Sequence, residues 1–160
     1  MLKTVRLLLT LSTISSAIWA ADAAGSLPAN FKSASELTAA LQKSIATATD
    51  QATAPIANEP HYRINIVHRG KPGVAMAHAT GPAKGTEVHY IIEGAATVVT
   101  GGTLVRPAAD SKAAPSIENG VARHVAKGDV LVIPAGTPHW YKDVEGSVTY
   151  LEVRFDVDLK

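Results

Sequence analysis

The larger part of the sequence, from residue 61 onward, alternates short β-type runs with turns that contain glycine or proline. The runs are rich in Val, Ile, Thr and Tyr, and turn signals such as Gly81-Pro82 and Asn119-Gly120 separate them. Many short strands at this spacing predict an antiparallel sandwich or barrel. Residues 107–117 are rich in Pro, Ala, Asp and Ser and predict a long exposed loop. The predicted strands cover residues 61–68, 73–79, 86–93, 95–100, 103–106, 121–126, 129–133, 138–142 and 147–155.

One of these turns, Pro134-Ala135-Gly136-Thr137, leads directly into a histidine. Pro134 fixes φ and Gly136 permits a positive φ, so a tight reversal is expected here. His139 then lies at the start of the returning strand, where its ring can point into the space that the sheets enclose. That space is either a metal site or a packed core.

The N-terminal segment has the pattern of a secretory signal peptide. Lys3 and Arg6 precede an apolar stretch, Leu7 to Trp19, that is too short to span a bilayer. The small residues at 21–23 fit a cleavage site, with 18–20 as the other choice. We therefore expect residues 1–23 to be removed, which leaves a periplasmic or secreted protein with no stable membrane anchor. An N-terminal membrane anchor is the alternative.

A single amphipathic helix is predicted between residues 33 and 48. Ser33 and Glu36 form a capping box, and an apolar stripe of Leu37, Leu41 and Ile45 follows. Residues 49–60 are rich in Ala, Thr, Asp, Pro and Asn and are interpreted as a linker. The predicted organisation is thus a signal peptide at 1–23, the helix and linker at 24–60, and a β domain at 61–160.

The charge balance and the absence of cysteine limit the partners and the metal chemistry. The chain has 15 basic and 14 acidic residues, six histidines and no cysteine. A balanced charge without a basic cluster argues against nucleic acid as a partner. Thiolate ligation is excluded, so any bound metal must use histidine, carboxylate or water.

A carboxylate and an imidazole share one face of a predicted strand. Side chains alternate along a strand, so Glu87, His89 and Ile91 face one way and Tyr90 the other way. If the first face is the barrel interior, both polar groups are buried and need partners, and a metal ion satisfies both. The turn at 81–85 brings His78 back beside this strand. The alternatives are a buried hydrogen bond or ion pair for Glu87 and ordinary core or surface positions for the histidines.

Two sequence motifs resemble those of the cupin superfamily. Gly128, Pro134-Ala135-Gly136 and His139 have the spacing of the second cupin motif, although Asp143 stands where the family has Asn. Glu87 and Gly94 match the end of the first motif. The usual His-x-His doublet before the glutamate is missing, and His78 is the nearest upstream histidine. The resemblance covers about residues 60 to 155.

The resemblance implies an all-β fold, an antiparallel cupin-type β-barrel or jelly roll, here with one N-terminal α-helix. It also implies one divalent transition metal ion (Fe, Mn, Ni, Cu or Zn), a small-molecule ligand or substrate, and a homodimer. The expected activity is that of a metal-dependent dioxygenase, isomerase or lyase, with Glu87 as ligand or base; the alternative is a non-catalytic module that binds a small ligand. The motifs assign Glu87, His139 and, through the lengthened turn, His78 as metal ligands, and strand alternation adds His89. The predicted ligand pocket contains Met76, Ile91 and Tyr141.

Two further groups of residues are interpreted from their positions alone. Arg63 and Arg154 could reach the barrel mouth and hold an acidic ligand, but an outer strand face is the more common position for arginine. Trp140 and Tyr141 are adjacent, so one is expected to line the cavity and the other to pack outside it.

The apolar stripe of the predicted helix must be covered, either by the protein's own barrel or by a second subunit, and the second subunit is the preferred interpretation.

Overall fold

The computed structural model describes residues 29–77 and 85–156, so the predicted signal peptide and His78 lie outside the described residues. No helix within the described ranges is long and apolar enough to cross a membrane. Over the described residues the fold is mainly antiparallel β-structure with one helix, as predicted. In chain order the elements are α1 (Ala34–Ile45), β1 (Ala52–Asn58), β2 (Tyr62–Arg69), β3 (Thr86–Thr100), β4 (Thr103–Val105), β5 (Ser116–Glu118), β6 (Val121–Ala126), β7 (Val130–Ile133) and β8 (His139–Phe155).

Six of the strands form one antiparallel sheet in the order β1-β2-β8-β3-β6, and β7 pairs with residues 87–90 of β3 on the side away from β8. Strands β4 and β5 form a separate two-stranded sheet. β3 and β8 pair along almost their whole lengths, with three register shifts that bend the pair. The predicted runs 86–93 and 95–100 are therefore one strand, as are 138–142 and 147–155. The prediction of a full strand at 73–79 is wrong for residues 73–77, where only a bridge between Met76 and His139 forms.

The predicted linker at 49–60 is wrong in its central part, because Ala52–Asn58 forms β1 at the edge of the sheet. Three small residues of this strand, Ala52, Ala54 and Ala57, are buried against the neighbouring elements. A composition of Ala, Thr and Pro resembles that of a linker, but small side chains allow close packing of an edge strand. The predicted exposed loop at 107–117 ends early, because β5 begins at Ser116.

The capping box of the helix is present as predicted. The Ser33 hydroxyl accepts a hydrogen bond from the Glu36 backbone N–H, and the Glu36 carboxylate accepts one from the Ser33 N–H. The helix packs against β1 and β2 of its own chain, and its stripe of Leu37, Leu41 and Ile45 is half-buried. The sequence analysis preferred a second subunit as the cover of this stripe. The structure corrects this preference, because the helix packs on the sheet of its own chain.

The apolar core lies between the faces of β2, β3, β6 and β8. It contains aliphatic side chains together with two tyrosines whose rings stack at a centroid distance of 4.9 Å. The predicted tight turn before β8 is confirmed, because Thr137 N–H donates to Pro134 C=O at 3.0 Å and Gly136 has φ 78°. The core residues are Val67, Ile91, Ala96, Val98, Val125, Tyr141, Val148 and Tyr150.

Candidate functional site

A cavity of about 340 Å³ is lined by side chains of β2, β3 and β8, next to the apolar core. This volume lies at the lower end of the range for small-molecule sites. Its lining combines charged, imidazole and phenol side chains, which is unusual for a core. The lining residues are Gln51, Thr53, Arg63, Asn65, Arg69, Val74, Met76, Glu87, His89, His139, Trp140, Tyr141, Tyr150, Glu152 and Arg154.

Adjacent strands β2, β8 and β3 supply most of the polar groups. Residues that face one another across antiparallel strands project to the same side of a sheet. The strand register therefore produces two polar rows: Arg63, Arg154 and Glu87 form the first, and Asn65, Glu152 and His89 form the second.

The carboxylate of Glu87 is the centre of the site and is 2% exposed. Its Oε1 lies 3.0 Å from a guanidinium nitrogen of Arg154, and its Oε2 lies 3.1 Å from His89 Nε2 and 3.9 Å from His139 Nε2. Burial by itself raises the pKa of Glu87, but the His89 hydrogen bond and the charges of His139 and Arg154 outweigh it and lower the pKa to about 2. The carboxylate is therefore ionised at neutral pH.

His89 is held from both sides of its ring. Nε2 lies against the Glu87 carboxylate, and Nδ1 lies 3.1 Å from the Tyr141 hydroxyl. Burial raises the pKa of Tyr141 far above its usual value, so this hydroxyl stays protonated and can donate to Nδ1. In that arrangement His89 Nε2–H donates to Glu87. A metal bound at Nε2 needs the other tautomer, which Tyr141 also accommodates because its oxygen can accept a hydrogen bond from Nδ1–H.

The ring of His139 is oriented by the turn that precedes it. Its Nδ1 lies 3.1 Å from the Thr137 carbonyl oxygen, which can only accept, so Nδ1 carries the hydrogen. A ring with its hydrogen on Nδ1 leaves Nε2 as the atom that can bind a metal, and Nε2 lies 3.9 Å from Glu87 Oε2. A hydrogen bond from the remote ring nitrogen to a backbone carbonyl is typical of histidines that bind metals.

Glu152 is a site residue that the sequence analysis did not single out. It is buried and accepts a hydrogen bond from the Asn65 amide at 3.1 Å. Ligand atoms of Glu87, His89 and Glu152 all lie within 4.8 Å of one another, so this trio could also hold a metal ion. The available signal was the alternation of 150–154, where polar residues share a face with Tyr150.

Aromatic and cationic side chains form the inner wall of the cavity. Arg69 Nε–H donates to the Tyr150 hydroxyl at 3.1 Å, and its guanidinium lies 5.3 Å from the centroid of the Tyr141 ring. A second nitrogen of Arg69 donates to the Gln51 side chain. Burial raises the pKa of Tyr150 to about 12, so its hydroxyl is neutral. These contacts fix Tyr141, and thereby the His89 ring.

The structure brings together Glu87, His89 and His139 of the predicted site residues. Strand alternation gave the correct face, because His89 is 2% exposed whereas Tyr90 is 45% exposed. The cavity is also lined by Met76 and Tyr141, but Ile91, predicted to line it, is fully buried in the apolar core instead. His78 lies outside the described residues.

The structure places two aromatic and two basic residues in the cavity wall, where the sequence analysis expected only one aromatic residue. Trp140 and Tyr141 both line the cavity, because Trp140 Nε1–H reaches back to the Gly73 carbonyl at 2.8 Å. Arg63 and Arg154 also line it, and the outer-face assignment is wrong for both.

The cluster of Glu87, His89 and Glu152, whose ligand atoms lie within 4.8 Å of one another, fits a divalent transition metal ion, and His139 adjoins it on the Glu87 side. Bonds of about 2.0–2.2 Å to nitrogen and oxygen place neighbouring ligand atoms roughly 3 to 4 Å apart. The separations from Glu87 Oε2 to the Nε2 atoms of His89 and His139 are 3.1 and 3.9 Å. Mixed imidazole and carboxylate ligands suit Fe, Mn, Ni, Cu or Zn.

Comparison with known proteins places these features in context. The cupin family model matches residues 29–155. A search of curated proteins gives no match. The structure of TT1209 from Thermus thermophilus is 16% identical, with 80% of this chain and 98% of that chain covered and a TM-score of 0.53.

Two other solved structures are similar at lower TM-scores. KdgF from Halomonas sp. is 16% identical, with coverages of 69% and 84% and a TM-score of 0.49. A cupin superfamily protein from Desulfitobacterium hafniense is 14% identical, with coverages of 68% and 80% and a TM-score of 0.45. At these identities the similarity concerns the fold.

Proposed function

The chain belongs to the cupin family, and from this premise we propose that it is a metal-dependent enzyme that acts on a small organic substrate. The observation that carries the proposal is the cluster of Glu87, His89 and Glu152 in the wall of the cavity, with ligand atoms within 4.8 Å of one another and His139 Nε2 3.9 Å from Glu87 Oε2. The reaction classes that fit are those of a dioxygenase, an isomerase or a lyase.

Glu87, His89 and His139 would hold the ion, with His78 from the first motif and Glu152 from the structure as further candidates. A bound divalent ion supplies a Lewis acid that polarises a substrate oxygen and stabilises negative charge that develops there. Tyr150 and Glu152 of β8 line the same cavity beside that position.

The protein's own groups prepare the site for this chemistry. Arg154 binds Glu87 Oε1 and so directs Oε2 toward the two imidazoles. The Tyr141 hydroxyl and the Thr137 carbonyl set the orientations of His89 and His139. Glu87, ionised at neutral pH, serves as ligand or, if it leaves the ion, as a general base.

Metal content tests the proposal. The wild-type protein, loaded in turn with Fe, Mn, Ni, Cu or Zn and then dialysed, should retain about one ion per chain by elemental analysis. His139→Ala should lose most of it, because one of three or four ligands is missing. His124→Ala is the matched control, since His124 is exposed and pairs with Glu145. No stoichiometric ion in the wild type would refute the proposal.

A non-catalytic ligand-binding module is the second candidate, and one observation favours it. Glu87 is ion-paired with Arg154 and His89 is hydrogen-bonded on both nitrogens, so protein contacts satisfy these groups without a metal. A protein that binds a small molecule tightly but retains no metal would support this module.

Export and pairing also belong to the proposal. The pattern in residues 1–23 supports export to the periplasm or beyond, and mass spectrometry of the exported protein should find an N-terminus near Ala21 or Ala24. A homodimer is supported by the exposed apolar side chains of Tyr90, Val130 and Val132, which are neighbours on the outer face of β3 and β7.

A further inference from the structure

The charged side chains of the cavity do not balance one another. Among the residues that the structure describes, three arginines, Arg63, Arg69 and Arg154, line it, but only two carboxylates, Glu87 and Glu152. The lining therefore has a surplus of positive charge, and a divalent ion held as proposed above would increase that surplus. In a site partly shielded from water, such a surplus attracts an anion.

The three arginines differ in how fully their donors are used. Arg69 donates to Tyr150 and to Gln51, so it is engaged in the inner wall. Arg154 binds Glu87 through one terminal nitrogen. The nearest approaches of Arg63 and Arg154 to Glu152 are 4.0 and 3.9 Å, which are too long for hydrogen bonds. Among the described residues, the Nε atoms of Arg63 and Arg154 are buried and have no hydrogen-bond partner.

These two arginines also face each other on neighbouring strands. Arg63 of β2 and Arg154 of β8 are register partners, so their side chains project to the same side of the sheet. Like charges directly opposite each other destabilise a sheet. The side chain of Arg63 is 42% exposed and that of Arg154 is 9% exposed, so the pair extends from solvent to the cavity interior.

We propose that Arg63 and Arg154 bind a carboxylate group of the substrate, so that the substrate class is small organic acids. This inference rests on the proposed function, because it places the acid's reacting part beside Glu87 and the two histidines. A guanidinium group matches a planar carboxylate through parallel hydrogen bonds, and an anion between the two arginines removes their repulsion. The cavity of about 340 Å³ limits the acid to a small one.

Tryptophan fluorescence can report occupancy of the cavity. The chain has two tryptophans, and in the mature protein expected after removal of residues 1–23 Trp140 of the cavity wall is the only one left. The probes are succinate and benzoate, their uncharged counterparts succinamide and benzamide, and inorganic phosphate. We expect at least one carboxylate to bind tenfold or more tightly than its amide and more tightly than phosphate.

Arg63→Gln is the decisive variant, because Arg63 does not contact Glu87. It should raise the Kd of the carboxylate by about ten- to a hundredfold, the usual loss for a charged hydrogen bond, and leave the Kd of the amide unchanged. Arg63→Lys, which keeps the charge, should restore part of the affinity. Arg123→Gln on the exposed part of β6 removes the same charge elsewhere and should change nothing.

Three results would overturn the inference: no carboxylate binds, the amide binds equally well, or Arg63→Gln has no more effect than Arg123→Gln. Tighter binding of phosphate than of either carboxylate would also overturn the assignment to carboxylic acids. Metal content, measured on the same samples, separates this inference from the proposed function. Metal without carboxylate preference removes only the inference, whereas carboxylate preference without metal removes only the metal-dependent enzyme.

Discussion

The buried carboxylate of Glu87 gives the protein a specific dependence of stability on pH. In the folded, metal-free protein the pKa of this group is lowered from 4.5 to about 2. A pKa that is lower in the folded state than in the unfolded state means that the ionised group stabilises the fold. This contribution is fully present above pH 4.5 and is lost as the pH falls through about 2.

The size of the contribution follows from the difference between the two pKa values. A pKa difference of one unit corresponds to about 1.4 kcal/mol, so the lowering of the Glu87 pKa contributes about 3 kcal/mol to the stability at pH 7. This value agrees with the general cost of removing one partner of a buried ion pair, which is about 3–5 kcal/mol. Glu87→Gln imitates the protonated carboxyl and leaves Arg154 without its partner at 3.0 Å. The variant should therefore be less stable than the wild type by about 3 kcal/mol at pH 7 and by about 1 kcal/mol at pH 2.5.

Urea unfolding followed by circular dichroism, with EDTA present and at several pH values between 7 and 2.5, measures this difference. Glu93→Gln is the matched control, because Glu93 is exposed on the same strand. Its free energy of unfolding should stay close to that of the wild type at every pH. If the deficit of Glu87→Gln were the same at pH 7 and pH 2.5, the carboxylate would not be held ionised by its neighbours, and the electrostatic account of the site would be wrong.

Three further predictions concern the backbone, the histidine support and association. Gly94→Ala should destabilise by about 2 kcal/mol or more in urea unfolding, because φ is 79° and a Cβ would lie 1.9 Å from a backbone oxygen of β8; Gly146→Ala, with φ 71° and open space, should cost about 1 kcal/mol. Tyr141→Phe should weaken metal affinity about tenfold, measured by competition with a chelator, because His89 loses its hydrogen bond. Light scattering should find a dimer that survives deletion of residues 24–50, because the helix packs on its own chain.

Much of the fold and part of the site could be predicted from the sequence. Strand alternation placed Glu87 and His89 together on the inner face, and the Pro-Ala-Gly turn placed His139 at the start of β8. These features are local, so a short stretch of sequence specifies them. The strand Ala52–Asn58 could not be predicted in this way, because its small side chains lack a hydrophobic alternation and only pairing with β2 makes it a strand.

Glu152 was missed, and an outer face was preferred for Arg63 and Arg154, for a related reason. In 150–154, as in 63–67, apolar residues alternate with polar ones, and the usual rule directs the apolar face inward. Here the polar face is the buried one: Glu152 is 7% exposed and Arg154 is 8% exposed, whereas Leu151 and Val153 are only half-buried. Alternation shows which residues share a face, but it does not show which face is enclosed when the enclosed space holds a polar cavity.

The misplacement of Ile91 shows where the cavity ends and the core begins. Ile91 shares a face with His89, so alternation alone assigns both to one pocket. Across the three central strands, however, the row that contains His89 is polar, whereas the next row joins Val67, Tyr150 and Ile91 and is almost fully buried. One strand face thus serves as cavity wall at one end and as core at the other. The change occurs at the Tyr150 hydroxyl, which accepts a hydrogen bond from Arg69 on the cavity side.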